Sequence, residues 1–202
     1  MDEFKINNRF AVMDESFSVI RPGLSIYVIS AVTFDGIPGN IDEDFRKNFS
    51  SKRPIKTKDL MSKSNSPKIT SLIAWNSQNA IGNLAFYSFC KSRQVERTRG
   101  RILQEIFQQL ANYQTFKFIM DSRISPHLPA PETANKRDLR IMTDLKAKNL
   151  LSQRTSLKFL TDDDFHLLGN ADFVAWVSRT NLITGDRSWV ERLKIVQHEI
   201  PS

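Results

Sequence analysis

Cysteine is nearly missing from this chain of 202 residues, where Cys90 stands alone. A single thiol excludes an internal disulfide and any cysteine-built zinc cluster. Histidine is almost as scarce, and His127, His166 and His198 share no ligand spacing, which argues against zinc on imidazoles. No apolar run reaches the roughly 18 residues of a spanning helix. The opening MDEFKINN is charged and polar, unlike a secretory leader, and there is no twin-arginine start. These absences point away from a membrane and toward the cytoplasm.

What remains is an ordinary globular composition, 40% hydrophobic and 25% charged, with 14 Phe to fill a packed core. The length suits one domain over 1–202, able to bury roughly 70% of its extended surface without a covalent staple. The net charge of +7 is unevenly placed. Lys52, Arg53, Lys56, Lys58, Lys63 and Lys68 crowd one segment, and Lys91, Arg93, Arg97, Arg99 and Arg101 a second. Lys136, Arg137, Arg140, Lys146 and Lys148 form a third. Such clusters suit a polyanion such as nucleic acid, because each neutralised phosphate releases counterions. Basic helices are also commonly no more than solvated faces.

RFAVMDES (9–16) reads as a strand finishing on Asp14-Glu15, and LSIYVISAVTF (24–34) as a second strand paired with it across the RPG turn. IDEDFRKNF predicts a short helix with acidic residues in its first turn. Residues 50–66 are polar, basic and aperiodic, which predicts a loop insertion. Ser66-Pro67 opens a helix carrying Ile69, Leu72 and Ile73. AIGNLAFYSF (80–89) is a third strand, followed by a helix over about 94–113 with Ile102, Leu103, Ile106, Phe107 and Leu110 on one stripe. FKFIMDS (116–122) is a fourth strand ending on Asp121, and a helix spans about 134–151. SLKFLT (156–161) is a fifth, leading into Asp162, Asp163 and Asp164, and helices containing NADFVAWV and SWVERLKIV close the chain. Strand–helix alternation implies an α/β fold with a mixed five-stranded sheet flanked by helices.

Two strands therefore end on aspartates, Asp14 and Asp121. In open sheets ligands gather beyond the carboxyl ends of strands. Two such charges repel, and a hard divalent cation on oxygen ligands is the usual compensation. Asp172 is a third candidate, a charge in an otherwise apolar helix. Side chains alternate along a strand, so Asp14 and Glu15 share a pocket only where the strand has ended; Asp14 is favoured.

At FAVMDES (10–16), YVISAVTF, IKTKDL (55–60), FIMDS (118–122) and LLGNADFVAW (167–176) the chain resembles the ribonuclease H-like superfamily. It is similar in particular to an uncharacterised bacterial and phage family with an Asp-Glu-Ser first-strand motif and a C-terminal Ala-Asp helix motif. The resemblance implies a nuclease that hydrolyses phosphodiesters by a two-metal mechanism, with Mg²⁺ or Mn²⁺ on Asp14, Asp121 and Asp172. It adds Glu15 and Glu96 as further metal ligands. Two positions depart from the pattern: Phe17 replaces a glycine, and Gly169-Asn170 replaces a glutamine before Ala-Asp.

Lys56, Lys58, Arg97 and Arg99 are the candidate nucleic-acid contacts. Asp162, Asp163 and Asp164 fit a solvated turn or helix cap, His127 an ordinary loop residue, Trp75 and Trp176 core packing, and Cys90 a structural role. The alternative function is a catalytically inactive nucleic-acid-binding or protein-interaction module on the same fold, in a mobile element or defence system.

Overall fold

Alternation along the first strand decides how the core is divided. The computed structural model describes residues 8–49, 54–62, 66–122 and 131–201. Strand β1 (Arg9–Arg21) sends Phe10 and Val12 to one face of the sheet and Ala11 and Met13 to the other. It turns at Gly23, whose φ of 80° suits a residue without a Cβ, into β2 (Leu24–Asp35). Helices α1 (Pro38–Phe49), α2 (Thr57–Ser62) and α3 (Ser66–Asn79) lead to β3 (Ala80–Cys90). Then come α4 (Val95–Asn112), β4 (Lys117–Asp121), α5 (Pro131–Ala147) and β5 (Ser156–Leu160). The chain finishes with α6 (Leu168–Thr184), α7 (Ser188–Arg192) and β6 (Ile195–Glu199).

The six strands lie in the order β5-β4-β1-β2-β3-β6. Only β2 runs against its neighbours; β1 pairs in parallel with β4, β4 with β5 and β3 with β6. One face is covered by α6 and α3, whose Val174, Val177, Leu72 and Ile73 pack against Phe10, Val12, Val28 and Phe34. The other is covered by α4 and α5, through Ile102, Leu103, Ile106, Phe107, Met142 and Leu145 against Met13, Ile29 and Phe86. Helix α6 is buried on most of its circumference, as an all-round apolar helix must be.

Four expectations are corrected. The sheet has six strands, not five: Lys194 adopts φ 51°, which breaks the closing helix and releases Ile195 to pair with Asn83. β1 does not finish at Asp14-Glu15 but runs on to Arg21, because Ser16, Phe17 and Ser18 stay in register with Val28, Tyr27 and Ile26. The acidic residues of α1 fall after its first turn, since the helix begins earlier, at Pro38. The 50–66 segment is not all loop. Thr57–Ser62 is helical because Ile55 and Leu60 are buried in the core, while 50–53 and 63–65 lie outside the described residues. The Ser66-Pro67 start, the α4 stripe and the strands β3, β4 and β5 stand as read. Among the described residues no helix is long and apolar enough to cross a membrane.

Candidate functional site

Three elements bring three aspartates into one another's electric field. Asp14 lies mid-strand in β1 and is 9% exposed, Asp121 is the last residue of β4, and Asp172 is the fifth residue of α6. Ser30 of β2 fixes the helix against the sheet: its hydroxyl donates to the Ala171 carbonyl at 2.8 Å and lies 3.4 Å from that of Asp14. Two of the carboxylates are oriented by backbone N–H groups: Glu15 N–H donates to Asp14 at 2.6 Å and Thr57 N–H to Asp172 at 3.0 Å. The Ser122 N–H beside Asp121 donates to the Leu160 carbonyl at 2.8 Å, which ties the end of β4 to β5.

Burial pushes the Asp14 carboxyl well above the usual range, and the charges of Asp172 and Asp121 push it further. Asp121 is raised chiefly by burial as well, opposed by the nearby Lys56 ammonium. Lys56 also pairs with Asp162, so the segment before α2 lays a cation beside the carboxylates. That segment is seated tightly: a Cβ on Gly169 would lie 2.8 Å from the Ile55 carbonyl oxygen. Arg179, seven residues beyond Asp172 and so on the same face of α6, donates from Nη1 to the Phe17 carbonyl at 2.9 Å.

The neighbour of Asp14 faces the other way. Glu15 accepts from buried Arg99 at 2.7 Å and from the Tyr27 hydroxyl, and Arg99 also pairs with Asp138. Arg99 is 1% exposed, which corrects its reading as a nucleic-acid contact: it continues the buried stripe of α4. Glu96, which the resemblance adds as a metal ligand, is exposed in the first turn of that helix. Lys56, Lys58 and Arg97 are exposed, Arg97 beside Gln94, Thr98 and Arg101 along a shallow groove. Asp163 and Asp164 are solvated in a turn, while Asp162 is partly covered. Trp75 and Cys90 are buried, Trp176 packs on the core, and His127 lies outside the described residues.

The sequence reading missed Arg179, Thr57 and Ser30. The spacing of Arg179 from Asp172 was a usable signal; the other two act through long-range contacts that no local pattern announces. The all-oxygen donor set of Asp14, Asp121 and Asp172 suits a hard dication. Among the described residues, however, no three His, Cys, Asp or Glu side chains stand arranged to hold a metal ion.

The sequence matches no protein-family profile, and no curated protein matches it. Two solved structures share its outline. The PCNA:RNase HII complex from Archaeoglobus fulgidus is 16% identical, covering 91% of this chain and 75% of that one, with a TM-score of 0.42. The ribonuclease H2 from Pyrococcus horikoshii OT3 is 13% identical, covering 88% and 76%, with a TM-score of 0.45. Likeness at this level is one of outline and carries no inference about chemistry. What is defined here is a mixed α/β protein in which a buried aspartate, Asp14, and two half-buried ones, Asp121 and Asp172, lie near Lys56 and Arg179.

Proposed function

We propose that the protein is a divalent-metal-dependent nuclease of ribonuclease H-like type, with Asp14, Asp121 and Asp172 as the residues that hold Mg²⁺ or Mn²⁺. The observation that carries the reading is the approach of three carboxylates from β1, β4 and α6, those of Asp14 and Asp172 oriented by backbone N–H groups, around a buried Asp14. These N–H contacts orient the oxygens, and a bound cation draws the three groups together. When bound, such ions offset the mutual repulsion and supply Lewis acidity toward a phosphodiester. Lys56 and Arg179 bring positive charge to the phosphates and orient the strand. Burial around Asp14 limits water, which strengthens every electrostatic contact there. The substrate is a nucleic acid, drawn by the net charge of +7.

Asp14→Asn and Asp121→Asn each abolish Mn²⁺-dependent cleavage of a labelled oligonucleotide while the circular dichroism spectrum is retained. Cleavage by both variants at the parent rate overturns the assignment.

One observation favours a second reading, a catalytically inactive binding module. The carboxylates do not stand as a metal cage, and Lys56 already offsets part of their charge. Calorimetric titration with Mn²⁺ separates the two: saturable uptake lost in Asp14→Asn supports the nuclease, and no uptake supports the binding module.

A further inference from the structure

The backbone is fixed on both sides of Lys56, while the side chain itself stands in solvent. Ile55 and Thr57 are 3% and 1% exposed, and the Ile55 carbonyl abuts Gly169 of α6. The Thr57 N–H is bound to Asp172, and the Lys56 carbonyl accepts from the N–H groups of Asp59 and Leu60 at 3.0 and 3.1 Å. The Lys56 side chain is 56% exposed. Its ammonium therefore swings from an anchored base that stays beside the aspartates.

The ends of β4 and β5 decide what that ammonium meets. Asp121 lies opposite Leu160 in the ladder, and the Ser122 N–H bond to the Leu160 carbonyl keeps the two chains side by side at that end. Two residues beyond Leu160 comes Asp162, 12% exposed at its side chain, and it pairs with Lys56. The same ammonium pulls the Asp121 carboxyl down, against the effect of burial. One cation thus serves two carboxylates, Asp162 by contact and Asp121 through its field. A dication on the aspartates has to enter beside this charge, and like charges repel.

We propose that Lys56 is a tethered counter-cation of the aspartate site: its ammonium stands in for part of a dication's charge before the ion binds and opposes the ion as it binds. This rests on the metal reading of the three aspartates above. A unit charge in water about 4 Å from a dication changes its affinity roughly thirtyfold, and distance and salt reduce that. Removing the ammonium therefore tightens the ion. A lysine that served only as a phosphate contact leaves the ion untouched when no nucleic acid is present. The two roles are compatible, because an ammonium drawn off by a phosphate no longer opposes the ion.

The test is calorimetric titration with Mn²⁺ at about 0.1 M salt and without nucleic acid, so that affinity is read and not turnover. Lys56→Gln binds Mn²⁺ roughly three- to thirtyfold more tightly than the parent, and the gap narrows toward about 1 M salt. Lys56→Arg keeps the charge and stays close to the parent. Lys117→Gln removes the same charge from the other end of β4, about 13 Å from Asp121 along the strand, and leaves the affinity unchanged. The Lys56 side chain is exposed, so the circular dichroism of its variants matches the parent. If the parent takes up Mn²⁺ and Lys56→Gln binds it equally or more weakly, the proposal is overturned and the metal reading stands. An equal gain in Lys117→Gln also overturns it, since net charge is then the cause. Mn²⁺ bound by Lys56→Gln and not by the parent supports it, and uptake by neither overturns it together with the metal reading.

Discussion

Arg99→Met removes the guanidinium that lies between Glu15 and Asp138 inside the second core. Arg99 is 1% exposed at its side chain, Asp138 3% and Glu15 27%. Losing Arg99 takes a buried carboxylate's charge partner from Asp138, while Glu15 can recover some hydration at its exposed edge. Breaking a buried ion pair from one side costs about 3–5 kcal/mol. At about 2–4 °C per kcal/mol for a chain of this size, Tm falls by about 6–20 °C. Urea unfolding gives the free energy directly, with the midpoint shifted and the slope unchanged. Arg99→Met/Asp138→Leu replaces both partners with apolar groups and recovers much of the loss, since such replacements are often neutral. A single variant within about 1 kcal/mol of the parent, or a double variant no better than the single, refutes the view that this guanidinium anchors β1 to α4 and α5.

Two further predictions concern the site itself. In chelator, stability falls as pH rises from the unfolded aspartate value of about 3.9 toward the raised folded values of Asp14 and Asp121, because the folded chain binds these protons more tightly. Asp14→Asn cannot ionise, so it flattens that fall and is more stable than the parent at neutral pH; denaturant titrations across pH that show no gain refute this. Gly169→Ala sets a Cβ 2.8 Å from the Ile55 carbonyl oxygen and costs about 1–3 kcal/mol as the strap shifts. The Thr57 amide, which donates to Asp172, then exchanges faster with deuterium, and unchanged exchange and midpoint refute the close fit.

Much of the fold was legible because hydrophobic period is a local signal. The stripe from Ile102 to Leu110 and the apolar runs of β2 and β3 declare themselves within a dozen residues. β6 was not legible, since five residues following SWVER read as more of the same helix until Lys194 turns the backbone. α2 was hidden in a polar segment whose two core residues, Ile55 and Leu60, are too few to show a period. The aspartates were singled out through strand ends and an apolar helix, although β1 does not in fact end there. The role of Glu15 was out of reach, because its partner lies 84 positions downstream. Arg99 was misread through its charge, yet its spacing to Ile102, Leu103 and Ile106 placed it on the buried side.

Pairing of β1 with both β2 and β4 joins the start of the chain to its middle, and α6 then closes over Asp14 from near the far end. During synthesis the first hairpin can form as soon as it emerges, but its Asp14 meets Asp172 only after the 137 residues beyond Asp35, up to Asp172, have been added. Long-range closure of this kind is slow compared with local pairing. The juxtaposition of the three aspartates is therefore a late product of folding, and a growing or truncated chain displays the basic segments before those carboxylates are brought near one another.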